Sequence, residues 1–215
     1  MTVSSATVHD KPAFWDEASA ELMGRDRILR KVIPQHQSEW LGPSTTPFIT
    51  LARALVGHQI SVKSAEAMWQ RFTDACGRNP TPRAVLALAE TDVKLLGLSK
   101  RKADYVLDLA LHFADKKVRP SQWVSMDDEA VIADLCAIRG IGRWTAEMFL
   151  IFNLQRPDVL PLDDAGLLKA ISLHYFSGEP VSRFEAREVA QAWAPWRTVA
   201  TWYLWRSLDP AAVQY

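Results

Sequence analysis

Apolar residues recur along this chain at three- and four-residue intervals, the spacing that puts one face of a helix against a core. No alternation of apolar and polar positions lasts long enough to mark a strand. Segment 47–57 opens with Pro47 and carries Phe48, Leu51 and Leu55 on one face. Ser61 is placed to cap the next helix, in which Ala65, Met68, Trp69 and Phe72 form an apolar stripe. Residues 81–97 read as two short helices broken near Thr91, and 100–117 as one long amphipathic helix with Tyr105, Leu109 and Phe113 turned inward. The carboxylates of Asp127 and Asp128 suit the start of a helix reaching Cys136. Further helices are expected from Arg143 to about Asn153, from Asp163–Asp164 onward, and around 182–193 and 196–207. The pattern predicts an all-α protein of about ten to twelve helices, with residues 1–11 a mobile N-terminus.

Composition sharpens this picture. Nearly half of the 215 residues are hydrophobic and nine are Trp, enough for a substantial core and too many for a disordered chain. Twenty-five basic residues balance 25 acidic ones, so a nucleic-acid binder that works through broad basic excess is disfavoured. A basic face opposite an acidic one stays open. Cys76 and Cys136 fit no metal-ligand spacing and read as small buried hydrophobes in a reducing compartment. The first residues show no basic segment leading into an apolar run, and no stretch is apolar for long enough to span a bilayer. The expectation is a soluble cytoplasmic protein with no membrane partner.

The most informative stretch is Leu135-Cys136-Ala137-Ile138-Arg139-Gly140-Ile141-Gly142-Arg143-Trp144-Thr145-Ala146. Two glycines around one apolar residue permit a tight turn between helices, with Ile141 tucked between them. The backbone N–H groups at the start of the second helix then face outward, where they and the helix dipole can bind a phosphate with little help from basic side chains. A G-x-G alone would be read as a plain αα turn. This longer pattern resembles the helix-hairpin-helix of the DNA glycosylase superfamily, most closely DNA-3-methyladenine glycosylases of type II.

The resemblance runs from about Trp15 to Trp205 and implies two helical lobes with an active-site cleft between them. The central lobe would span about 45–155 and hold the hairpin; the discontinuous lobe would be built from about 12–44 and 156–215. The β-rich domain that leads some relatives is not expected here. At the hairpin, Gly140, Gly142, Arg143 and Thr145 would contact DNA, and the backbone carbonyls of Cys136, Ile138 and Ile141 would hold a monovalent cation, Na+ or K+. The segment Leu55-Val56-Gly57-His58-Gln59-Ile60-Ser61 resembles the loop that fills the gap left by a flipped nucleotide, with Gln59 at the wedge position. His58 departs from the family's Gln there and is read as an ordinary helix-end histidine. Lys100, Arg101, Lys102 and Arg197 could be phosphate contacts or a solvated face.

Chemistry is expected at Asp158-Val-Leu-Pro-Leu-Asp163-Asp164. The family pattern puts the catalytic carboxylate at Asp164, where a fixed anion would stabilise an oxocarbenium-like transition state and orient water. On its own, an Asp-Asp pair would read as a helix cap. Trp144, Met148 and Trp205 align with pocket positions, where electron-rich rings would hold a cationic alkylated base. Trp144 also stands where strand-cleaving relatives carry a Schiff-base lysine, and two cysteines cannot ligate an iron–sulfur cluster. The resemblance therefore implies a monofunctional hydrolase acting as a monomer on double-stranded DNA with alkylated bases, by base flipping and without a catalytic cofactor. A non-catalytic helix-hairpin-helix DNA-binding module is the alternative from another class, and a mismatch glycosylase the alternative within the superfamily.

Overall fold

A computed structural model describes residues 11–42, 45–88 and 97–208. The mobile N-terminus expected at 1–11 falls outside these except for Lys11, as does the second short helix expected after Thr91. Among the described residues the protein is all-α, with no strand. They fall into two compact units, one within 45–149 and one within 11–42 and 150–208, so the division lies inside a helix, between Phe149 and Leu150.

In chain order, the helices among the described residues are as follows. The N-terminal segment supplies α1 (Trp15–Arg25) and α2 (Leu29–Val32), the latter running into a 3-10 turn at Ile33–His36. Then come α3 (Pro47–Gly57), α4 (Val62–Ala75), α5 (Pro82–Ala87), α6 (Lys100–Ala114), α7 (Pro120–Trp123) and α8 (Asp128–Cys136). The rest is α9 (Arg143–Phe152), α10 (Ala165–Tyr175), α11 (Arg183–Ala190), a 3-10 turn at Gln191–Trp193, and α12 (Arg197–Leu208).

Side-chain caps explain six of the twelve starts among the described residues. The side chains of Ser61, Thr81, Ser99, Asp127 and Asp164 each accept from a backbone N–H three residues on, and Ser182 forms a capping box with Glu185. α6 ends at Ala114, short of the expected residue 117. The chain turns through Lys116 at φ +55°, and the N–H groups of Lys117 and Val118 close back on the His112 carbonyl. The inward face of α6 is Ala103, Val106, Leu109 and Ala110; Tyr105, expected inside, is half-buried on a different side. Cys76 is buried, which pushes its thiol up to about 11, but Cys136 is exposed, because it lies one step past the apolar side that ends at Leu135. The helices α1 and α2 were not marked by the sequence pattern.

In the 45–149 unit the core runs through a chain of edge-on rings, Phe48 to Phe113 to Trp123 to Phe149, with centroids 5.3–6.3 Å apart. The other unit is assembled from both ends of the chain. Trp15 of α1 donates through Nε1 to the Tyr203 hydroxyl of α12 at 3.0 Å and meets the Trp202 ring edge-on at 5.2 Å. Asp26, only 8% exposed, completes the join. Its Oδ1 accepts from the N–H groups of Ile28 and Leu29 at 2.7 and 3.0 Å. Its Oδ2 accepts from the Tyr175 hydroxyl at 2.8 Å and Trp193 Nε1 at 3.1 Å. Burial, and then the adjacent Asp26 charge, hold the Tyr175 hydroxyl well above its ordinary range, so it stays a donor. Asp26→Ala would strand four donors, and the expected loss of unfolding free energy is about 3–5 kcal/mol. Chemical denaturation measures it, and a loss below about 1 kcal/mol would show that this carboxylate is not a keystone.

Candidate nucleic-acid interface and active site

The hairpin is the turn between α8 and α9. Gly140 adopts φ +90°, a conformation that favours glycine, and a Cβ added there would lie 2.3 Å from the Tyr105 ring of α6. Gly142 is different. Its φ lies outside the left-handed region, and an added Cβ would meet nothing within 4 Å. The turn therefore needs glycine at 140 and does not need it at 142. Ile138 and Ile141 are buried as expected, at 1% and 5% exposure. The Ile138 carbonyl accepts a long hydrogen bond, 3.2 Å, from the Ile141 N–H.

One face of α6 holds both loops of this unit. Lys102 Nζ donates to the Val56 carbonyl at the end of α3, 2.8 Å away, and burial lowers the ammonium from its usual range. Tyr105, one turn later, covers Gly140. Asp108, one turn further, accepts from the Arg139 N–H at 2.9 Å through Oδ2. Beyond Val56 the chain turns through His58 (φ −58°, ψ 129°) and Gln59 (φ +58°), as in a type II turn with glutamine where glycine is usual. The Gln59 side chain is exposed at the tip. Strain of this kind in a non-glycine residue costs on the order of 1–2 kcal/mol and accumulates at functional positions.

Two of the cations named from the sequence, Arg143 and Arg197, are engaged by carboxylates of the protein itself. Arg143 pairs with both carboxylate oxygens of Glu129, on the first turn of α8, and through Nε with Glu147 at 3.0 Å. It thus clamps the two hairpin helices together. The Arg143 hydrogen bond holds the Glu129 carboxyl below its ordinary value, and the same bond raises the guanidinium further. Arg197 makes a two-pronged pair with Asp158, 2.7 Å on each side, which fixes the loop before α10 to the start of α12. Thr198 reinforces it by donating to the Arg156 carbonyl and accepting from the Val159 N–H. Lys100 and Arg101 stay exposed.

Asp164 sits in the 11–42/150–208 unit as the N-cap of α10. Its Oδ1 accepts from the Leu167 N–H at 2.7 Å and from Trp205 Nε1 at 2.8 Å. Asp163 is exposed and pairs with Arg183 at 2.7 Å. Trp205 is 9% exposed and stacks on Phe152, with centroids 5.9 Å apart and planes 10° off parallel. Of the other aromatic and sulfur positions, Trp144 is half-buried on the first turn of α9 and Met148 is 2% exposed one turn on. Thr145 is half-buried beside Trp144. The sequence reading missed Glu129, Glu147, Tyr105, Asp108 and Gly166. The i,i+4 spacing of Arg143 and Glu147 signals one contact, and a glycine in the first turn of α10 signals another; the long-range partners have no local signature.

An all-α fold with this hairpin, a wedge-like turn and a capped carboxylate describes a DNA-repair scaffold. The chain belongs to the HhH-GPD superfamily of base excision DNA repair proteins, whose family model matches residues 52–195. DNA-3-methyladenine glycosylase 1 of Schizosaccharomyces pombe is 30% identical over 198 residues, covering 89% of this chain and 86% of its own. The structure of the Schizosaccharomyces pombe 3-methyladenine DNA glycosylase in complex with abasic DNA superposes with a TM-score of 0.78 at 28% identity, over 93% of this chain and all of that one. A Bacillus subtilis relative, 29% identical over 188 residues, is longer, and this chain spans 66% of its length.

The two glycines separate folding from binding. Gly140→Ala is expected to cost about 3 kcal/mol or more, from the positive φ and the clash with Tyr105. Gly142→Ala should leave stability within about 0.5 kcal/mol; if the start of α9 faces a phosphate, as the hairpin resemblance implies, the added methyl obstructs close approach and should weaken binding to duplex DNA at least about tenfold. Thermal denaturation and fluorescence anisotropy measure the two, and a Gly142→Ala protein with unchanged affinity would remove the hairpin from the interface.

Proposed function

We propose that this protein is a monofunctional DNA glycosylase that hydrolyses the N-glycosidic bond of alkylated bases, of the 3-methyladenine and 7-methylguanine type. The observation that carries the reading is the placement of Asp164. It is a half-buried carboxylate at a helix N-terminus, fixed by two N–H donors on one oxygen and so held in a single orientation.

Methylation at a ring nitrogen gives a purine positive charge and weakens its bond to the sugar. The base then leaves with little acid catalysis, and the enzyme's task is to stabilise the cationic sugar. A preorganised carboxylate does this without having to reorient during the reaction, and it can also direct the attacking water. The main-chain N–H groups at the start of α9 grip a phosphate, and Gln59, projected from its strained turn, fills the gap left by the extruded nucleotide. Trp144 stacks on the cationic base. The carbonyls of Cys136, Ile138 and Ile141 would hold a Na+ or K+ ion, which would supply positive charge at the hairpin. The protein acts as a monomer on double-stranded DNA, in the cytoplasm or on the nucleoid. No helix among the described residues is long and apolar enough to cross a membrane.

Asparagine also caps helices, so Asp164→Asn keeps the structural role and removes only the charge. The variant is expected to bind lesion-containing duplex within about twofold of wild type and to lose base release by about 10³-fold or more. Wild-type enzyme should leave an intact abasic strand that breaks only on alkali treatment, with no covalent adduct trapped by borohydride. Base release by Asp164→Asn within a few-fold of wild type would instead favour a non-catalytic DNA-binding module or a different carboxylate.

A further inference from the structure

Helix α10 carries a glycine where helices ordinarily disfavour one. Gly166 occupies its first turn, and a Cβ built there would stand 3.0 Å from Asp164 Oδ1 and 3.3 and 3.4 Å from Trp205 Cδ1 and Nε1. Distances in this range are tighter than nine in ten real Cβ contacts. Glycine at this position costs about 1 kcal/mol of helix propensity relative to alanine. The φ of Gly166 is not in the left-handed region, so the backbone does not demand it. What occupies the missing methyl's space is the hydrogen bond between the Trp205 indole and the Asp164 carboxylate.

We propose that Trp205 is a positioning residue for Asp164, and that Gly166 is the opening through which its N–H reaches the carboxylate. Trp205 is then more than an aromatic wall for the base. Its ring is buried and fixed by stacking on Phe152. Its Nε1–H and the Leu167 N–H converge on the same oxygen from a side chain and from the helix end. With Oδ1 engaged by two donors, rotation of the carboxyl about its Cβ–Cγ bond breaks both bonds. The carboxylate plane is thereby set before substrate arrives, which is the condition for electrostatic preorganisation. This inference rests on Asp164 being the catalytic carboxylate.

Three variants test it together. Trp205→Phe keeps a ring stacked on Phe152 and deletes only the N–H. Gly166→Ala keeps the indole and inserts the methyl. Asp164→Asn reports on the underlying reading. Single-turnover base release is expected to fall about 10- to 100-fold in Trp205→Phe, the range for removing a donor from a charged acceptor. In Gly166→Ala it should fall about tenfold, as the carboxylate is displaced by a few tenths of an ångström. The dissociation constant for duplex DNA should change in neither. Gly166→Ala should melt at the same temperature as wild type or a few degrees higher, because alanine is the better helix former. In a nitrogen–proton correlation spectrum, one indole N–H resonance should vanish in Trp205→Phe, and that same resonance should move in Asp164→Asn. A merely structural role predicts the opposite pairing, with activity and stability lost together. If Trp205→Phe and Gly166→Ala both turn over at the wild-type rate while Asp164→Asn is inactive, the positioning role is wrong and the catalytic assignment stands. If Asp164→Asn is itself active, both fall. Should Trp205→Phe fail to fold, the rate and melting temperature of Gly166→Ala decide the matter alone.

Discussion

A carboxylate removed from water is tolerated only where donors replace the water it loses, and Asp26 meets that condition with four. Everything in the unit that carries Asp164 depends on that closure, because the unit is discontinuous: residues 11–42 and 150–208 meet only if the two ends of the chain are locked together. Apolar packing of Trp15 against Trp202 and Tyr203 drives the ends together but does not choose a register. The Asp26 contacts do choose one, since Tyr175 at the end of α10 and Trp193 before α12 must both reach the same oxygen. That register places α12 alongside α10, and with it Trp205 beside Asp164. The wedge turn and the hairpin belong to the other unit and are tied by α6, a second instance of one helix face fixing two loops.

The charge balance of the sequence finds its physical explanation in where the cations point. Lys102, Arg143 and Arg197 each satisfy a carbonyl or a carboxylate of the protein itself. An arginine engaged by two glutamates carries little net field outward, so side-chain charge is not what this hairpin offers a phosphate. What it offers is the start of α9, with the main-chain donors and dipole of a helix N-terminus and a glycine at 142 where an added Cβ would meet nothing within 4 Å. The geometry of such a grip is specific and its long-range field is weak. A chain with 25 basic and 25 acidic residues is adequate for it.

Most of the helices, and the residues of the hairpin, could be read directly from periodicity and capping chemistry, because both are local: a serine or aspartate three residues before a backbone donor, apolar positions a turn apart. The reading failed where distant residues decide. Tyr105 satisfies the helical spacing for an inward position, yet it faces Gly140, which needs a ring to cover it. The helix α6 stops at Ala114 because its last carbonyls close through a left-handed Lys116, a choice that amphipathicity does not encode. Arg143 reads as a phosphate contact by position and is a clamp between α8 and α9 by geometry. Gly142, grouped with Gly140 by sequence, has neither a left-handed φ nor a neighbour within 4 Å of an added Cβ, so the folded chain does not require glycine there.

Capping and catalysis need not compete at Asp164, although a bare Asp-Asp pair would suggest that they do. A capping aspartate accepts from the helix end through one oxygen, and here that oxygen is Oδ1, which also takes the Trp205 N–H. Both structural demands are thus concentrated on one atom. The carboxylate lies at the positive end of the α10 dipole, and a carboxylate is a group that can stabilise a developing sugar cation. The same three features, a helix start, a neighbouring indole and a glycine that lets the indole in, would serve no purpose in a simple cap, since a serine or asparagine caps as well. A capping role alone would also leave Gly166 unexplained, as alanine there would strengthen the helix. The combination is economical only if the orientation of the carboxylate matters more to the protein than the stability of the helix it begins.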